Sequence, residues 1–466
     1  MKRRQFRISD VFVIGFAMFA VFFGAGNLIF PPFLGLASGK GWFTGFLCFV
    51  TADVGLAIFT MLLMVRRQDQ EGSILSNLGS VPSKLINVLV MLCVGPLLCV
   101  PRTCATTFEM AVLPLLPRFP AWLFSVLFFV VVFLLTIRSS KVVDIIGKVL
   151  TPLLLLTLAV LCVKGMIQPI GEIAEAAPLR HVIKEGFLAG YQTMDVFGSM
   201  VMTLLVLGAA ARKGYTERKL QFRVVALSSV VAAACLFLVY GALTYLGATT
   251  STTDVGDVNQ AGLVVLVTEL LLKRLGVYLL ALIVFFACLT TAVGLVSSTA
   301  EFFTVLLKKV SYWQVSLAIC LCGAGISSIG ISAMIRFATP LLNVVYPLLL
   351  TQIGLSAAGR LIRKKSVFRG AAIGALAYCL PEAACTLGLP LQAIYAMPLS
   401  ALGFGWVLPA LIGALIGLLL PEKSGSAAST VPGTPEQKLR PKGEPKPEED
   451  CVTIITMIPP AISNKQ

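Results

Sequence analysis

The sequence predicts an all-α integral membrane protein with about twelve transmembrane helices, and three observations carry that reading. The first is composition. Hydrophobic residues make up 57% of the 466, charged residues only 13%, and mean hydropathy is +0.92. A soluble domain averages about 25% charged residues, so a chain this poor in charge belongs in lipid. The second is recurrence: apolar runs fall at 11–35, 43–65, 85–101, 121–137, 143–163, 187–211, 222–247, 276–305, 313–332, 336–357, 368–388 and 399–420. A helix needs about 20 such residues to cross a hydrocarbon core of roughly 30 Å, and no β-barrel alternation competes. The third is the placement of basic residues. Lys2, Arg7, Arg66, Lys84, Lys141, Arg212, Lys219, Lys308, Lys364 and Arg369 fall in one set of alternate connections. Fewer, among them Lys40, Arg102, Arg118, Lys184 and Lys273, fall in the other set. That bias predicts both termini on the cytoplasmic side.

The formal charge of +15 is spread over these short connections, so no nucleic-acid-binding patch is expected. The cysteines sit singly in apolar runs without C-x-x-C spacing, which argues against a disulfide framework or a zinc site. The basic start, residues 1–10, leads into a run too long for a signal-peptide core. It is expected to open the first span, with Ser9 or Asp10 as N-cap. From 421 to 466 the composition turns to Pro, Ser, Lys and Glu, the signature of a disordered cytoplasmic tail.

The first span cannot remain a helix throughout. Gly24-Ala25-Gly26-Asn27 lies near its middle and Pro31-Pro32 follows about one turn later. Glycine weakens a helix by about 1 kcal/mol and proline removes a backbone donor. In hydrocarbon the freed groups must meet protein, water or a ligand, which is how transporters hold small solutes at mid-membrane. The plain alternative is close helix packing against the glycines. The sixth run carries a second interruption, Gly190 to Gly198 (GYQTMDVFG), with the ionisable Asp195 inside a span. Such a group faces a cavity or a ligand. It can cap the second half-helix, ligate a cation or take a proton. Asp53, deep in the second run, is a further candidate for contact, whereas Asp144 and Glu301 lie near helix ends beside lysines. His181, the only histidine, falls in the connection 165–186 and is expected on the surface.

Phe22 to Gly35 (FFGAGNLIFPPFLG) closely resembles the first transmembrane segment of the bacterial branched-chain amino acid:cation symporters, which have the LeuT-type fold. The sixth run resembles the Gly-Tyr-x-Thr-Met-Asp element of the same family, with Gln192 where an apolar residue is expected. Leu289 to Gly294 (LTTAVG) resembles its eighth span. The resemblance covers residues 11–420. It implies a 5+5 inverted repeat with discontinuous first and sixth helices, plus two C-terminal helices. The first repeat would be 11–163, the second 187–357, and the added helices 368–420.

It also implies a function: import of leucine, isoleucine or valine, coupled to sodium by alternating access, across the bacterial cytoplasmic (inner) membrane. Phe23, Gly24, Ala25 and Gly26 with Tyr191, Gln192, Thr193 and Met194 would form the substrate site. Free amides after the first break would meet the carboxylate, and carbonyls of residues 191–194 the ammonium. Ala20, Phe23, Asn27, Thr290 and Thr291 would hold the sodium ion. The same architecture with a proton as coupling ion, taken by Asp195, or with another amino acid as substrate, is the alternative. Partners are therefore the amino acid, sodium or a proton, and the lipid bilayer; no other cofactor is expected. Hydrolase and metalloprotease motifs, a Walker A loop and a channel filter repeat are all missing from the sequence, so neither an enzyme nor a channel is expected.

Overall fold

The first helix divides at its glycines and not at its prolines. In the computed structural model α1 (Ile8–Phe22) ends at Phe23, and α2 (Ala25–Ser38) starts after an extended Gly24 (φ −103°, ψ −176°). The helix then continues through Pro31 and Pro32, whose rings take the carbonyls of Asn27 and Leu28 out of the hydrogen-bond ladder without ending it. The structure describes residues 6–66, 74–137, 155–253, 256, 258–359, 362 and 364–420. The tail 421–466, Asp144 and the start of the fifth apolar run lie outside them.

Among the described residues the chain is helical and has no strand. After α2 the chain turns at Gly39, whose φ of +54° suits glycine, into α3 (Trp42–Val50). A π-helical turn, Thr51–Gly55, joins α3 to α4 (Leu56–Arg66). The third apolar run forms α5 (Ser80–Leu92), a π-turn kinked at Gly95-Pro96, and α6 (Cys99–Thr107). Next come α7 (Ala121–Ile137) and α8 (Leu155–Ile167). The sixth run is a broken pair, α9 (Leu179–Thr193) and α10 (Asp195–Arg212), divided at Met194. Then follow α11 (Arg218–Ala248), α12 (Gln260–Leu307, kinked at Lys273), α13 (Tyr312–Ser327), α14 (Ile331–Ala357), α15 (Lys365–Thr386) and α16 (Val407–Leu419).

Among the described residues, five helical stretches are long and apolar enough to cross a membrane, and the bent stretch Leu179–Arg212 makes a sixth. Apolar helices of 10–17 residues account for Ile8–Phe22, Ala121–Ile137, Leu155–Ile167, Tyr312–Ser327 and Val407–Leu419. Breaks and kinks thus divide the chain less evenly than twelve equal runs.

Three local expectations change. Ser9 and Asp10 do not cap α1: the N-cap position is Arg7, and Asp10 lies in the first turn, buried against Lys213 Nζ (3.0 Å) and Tyr215 Oη (2.8 Å). His181 is not in a loop, because α9 begins eight residues before the apolar run and carries it, exposed, in its first turn. Arg102 is not in an outer connection. It is 6% exposed within α6, where the helix runs past the point at which apolar residues first give out.

The core packs around the broken helices. Both α1 and α2 lie on α11, α3 packs on α9, α4 on α10, and α6 on α12. The α2–α11 crossing is close enough that a methyl on Gly35 would strike the Thr244 carbonyl, and one on Gly247 the Pro32 carbonyl. Small residues at such crossings let membrane helices gain dispersion contact that lipid does not supply. The α15–α16 pair meets in the same way through Gly370, Gly374, Gly413 and Gly417.

Candidate transport site

At the α9/α10 break Met194 adopts a left-handed conformation (φ 66°, ψ 20°) unusual for a residue with a side chain. Its neighbours hold it there. Met194 itself is 2% exposed, and its sulfur lies 3.5 Å from Cys99 Sγ. The carbonyls that end α9 all find donors inside the protein. Gly190 O accepts from Thr193 Oγ1 (2.6 Å) and Tyr191 O from the Met194 amide (3.1 Å). Arg102 donates from Nη1 to Gln192 O and from Nη2 to Thr193 O (2.9 Å). Behind them, Thr193 Oγ1 lies 2.7 Å from Asp53 Oδ1, on the π-turn of the second span. Asp53 is fully buried, and its Oδ2 has no hydrogen-bond donor.

The α1/α2 break is held differently. Phe22 O accepts from the Gly24 amide (3.0 Å) and from Asn27 Nδ2 (2.7 Å). The same Asn27 nitrogen lies 2.7 Å from Asp195 Oδ2 and 2.6 Å from Tyr240 Oη of α11. Asn27 therefore ties the first break to the second through its amide nitrogen, the end opposite to the oxygen expected to face a cation. The first amides of α2 have no intrahelical carbonyl to meet, as at every helix start. No side chain caps them.

Between the two breaks lies a cavity of about 60 Å³. It gathers Gly24, Ala25, Gly26, Asn27, Thr193, Met194, Asp195 and Thr291 from the expected site. Val21, Phe22, Val94, Cys99, Arg102, Thr103, Gly198, Met202 and Leu295 complete the wall. Other expected residues stand outside it. Tyr191 stacks on Tyr346 at 4.6 Å, and Gln192 turns its Nε2 to Thr339 Oγ1 (2.7 Å) on α14. Phe23 stacks between Phe19 and Tyr240, Ala20 is only partly buried, and Thr290 bonds back to Ala287 O (2.9 Å). Of the proposed sodium ligands, Asn27 and Thr291 reach the lining. Asp195 makes no side-chain cap to α10; it sits in the first turn, where a carboxylate opposes the positive helix end.

Arg102 is the residue that sequence reasoning missed. Its signal was available: an arginine followed by the mostly uncharged stretch Thr103 to Leu116 is an arginine inside a span, and such a residue is by default functional.

Two discontinuous helices meeting at a cavity, in a membrane-spanning body that is helical among the described residues, define a fold of the LeuT type. A solved structure with that architecture, Mhp1, a nucleobase-cation-symport-1 family transporter in a closed conformation with bromovinylhydantoin bound, superposes with a TM-score of 0.55 at 14% identity. The match covers 87% of this chain and 92% of Mhp1. Residues 7–424 match the family model described as branched-chain amino acid transport protein, and the chain belongs to that family. It is 33% identical to the branched-chain amino acid permease BraB of Bacillus subtilis (strain 168) over 427 residues, covering 89% of this chain and 96% of BraB. Identity is again 33% over 434 residues to a Staphylococcus aureus (strain USA300) protein named, provisionally, as a branched-chain amino acid carrier, with 88% and 96% covered.

Proposed function

We propose that this chain is a secondary active symporter that imports leucine, isoleucine and valine together with sodium by alternating access across the bacterial inner membrane, with both termini cytoplasmic. The observation that carries the coupled part is the charge balance of the cavity between the breaks. One guanidinium, Arg102, stands against two carboxylates, Asp53 and Asp195, at or directly behind the cavity wall. Two carboxylates beside one guanidinium leave room for one more positive charge, a shared proton or a monovalent cation, and an amino-acid zwitterion adds nothing to that sum. Buried charge is expensive unless compensated, so one monovalent cation bound with the substrate completes the balance. Asn27 and Thr291 supply neutral oxygen chemistry for a hard cation.

The substrate's two charges have separate counterparts. Arg102 already holds the carbonyls of Gln192 and Thr193, so the ammonium is assigned to Asp195 rather than to those carbonyls. The cavity is narrow as it stands, about 60 Å³. The apolar wall of Met194, Met202, Val21 and Leu295 therefore opens to admit a branched side chain, and the methionines are well suited to repack. Cation and substrate that favour the same arrangement of the breaks tighten each other's binding by the same factor.

The test is uptake of labelled isoleucine into proteoliposomes under an inward sodium gradient, a proton gradient, or none. Sodium-driven uptake that is lost in Asn27→Ala and Thr291→Ala is expected. Proton-driven uptake abolished by Asp195→Asn would replace the coupling ion. Silence under every gradient, with other amino acids also inert, would overturn the substrate assignment.

A further inference from the structure

The guanidinium of Arg102 has a second task beyond clasping the α9/α10 break. We propose that Arg102 is the receptor for the substrate's α-carboxylate, acting with the open amides that begin α2. The inference rests on the reading that the cavity binds an α-amino acid.

Four observations lead there. First, Arg102 is buried at 6% exposure, yet it lines the cavity, so the part of its guanidinium not facing α9 faces the site. Second, only two of its five N–H donors are used by Gln192 O and Thr193 O. The planar fork leaves its other donors for a second acceptor, and carboxylate is the acceptor that matches its geometry. Third, the guanidinium is held in place. Its carbon lies 5.7 Å from the Phe30 ring centroid, and a methyl on Gly26 would stand 2.8 Å from Nη2. The missing Gly26 side chain thus leaves the space beside Nη2, and the arginine lies against the first turn of α2. Fourth, the two breaks differ in what they leave open. All the terminal carbonyls of α9 are occupied, whereas the amides of the first α2 turn meet the cavity without a capping side chain. A site with spare donors and filled acceptors on that side binds an anion.

Arg102 is then a specificity residue as well as a clamp, and the two roles predict different results. The measurement is equilibrium binding of tritiated leucine to the purified full-length protein, competed by leucine and by leucinol, which lacks the carboxylate. In the wild type leucine should compete at least about 100-fold better than leucinol, the discrimination expected when a site's buried donors go unpaired. In Arg102→Gln and Arg102→Lys the leucine-to-leucinol ratio should fall tenfold or more. A clamp alone weakens both ligands by one common factor, and an unchanged ratio would overturn the proposal. Thermal unfolding of each variant reports whether it folds. Should the Arg102 variants be lost, Gly26→Ala serves in their place, since its methyl pushes the guanidinium away while leaving the charge present; an unchanged ratio there is equally fatal. A wild type that binds none of leucine, isoleucine and valine sinks the substrate reading instead. The competitor pair is then the amino acid that stabilises the protein most in a thermal screen and its amino alcohol, judged by the same ratio.

Discussion

The two helix breaks that face each other across the cavity solve one problem in opposite ways. At the first, the chain passes through an ordinary extended residue, Gly24, and one side chain from the same segment, Asn27, reaches back to Phe22 O across five residues. At the second, a methionine is forced into a left-handed turn, and the partners that hold it come from elsewhere: Arg102 is 90 residues away from Gln192, and Asp53 is 140 residues away from Thr193. The first break is locally encoded and left open on its donor side. The second is imposed by tertiary contacts and closed on its acceptor side. A membrane protein thus breaks a helix either by making the break cheap or by surrounding it with partners, and only the first kind leaves groups free for a ligand.

The sharpest way to break this comparison is Arg102→Ala. Removing the guanidinium strands two buried carbonyls, each worth about 1–3 kcal/mol when left unpaired, so a total loss of about 3–5 kcal/mol is expected. Denaturant unfolding in detergent reads this directly, and transport should be abolished. Thr193→Val comes next at about 2 kcal/mol, since Asp53 Oδ1 and Gly190 O lose their shared donor together. Asn27→Ala should cost less, about 1–2 kcal/mol, because Phe22 O keeps the Gly24 amide. If Asn27→Ala proved as damaging as Arg102→Ala, the first break would be no more locally encoded than the second.

The smallest effect is expected at Gly24→Ala. Its φ of −103° is open to any residue, and no atom lies within 4 Å of the added methyl, so stability should change by less than about 0.5 kcal/mol. Gly26→Ala, two residues on, meets Arg102 at 2.8 Å and should cost about 1–3 kcal/mol by overpacking. Equal melting temperatures for these two alanine variants would contradict the close approach of Gly26 to the arginine.

How much of this was legible depended on the range of the interaction. The break at Gly24 was readable because glycine acts on its own backbone. The break at Met194 was readable only as a polar, glycine-bounded interruption in an apolar run; that its hinge is the methionine, beside Cys99 and under Arg102, was not. Gln192 and Tyr191 stood in the right stretch but face α14, since a helix points successive side chains about 100° apart and sequence alone does not say which way the stripe turns. Thr290 and Thr291 divide for the same reason, one bonding to its own helix and one reaching the cavity.

By itself the sequence determined that the chain lives in lipid, that it is helical, and that its first and sixth apolar runs are interrupted. Those properties follow from hydropathy and from local backbone chemistry, which every residue carries wherever it is placed. Tertiary structure alone decided that an arginine assigned to a connection is buried at the cavity, and that Asp53 stands behind the second break. It also decided which break keeps its donors free. Those outcomes depend on which distant groups satisfy a buried backbone atom, and in a water-free interior that choice is settled by packing, not by the order of residues along the chain.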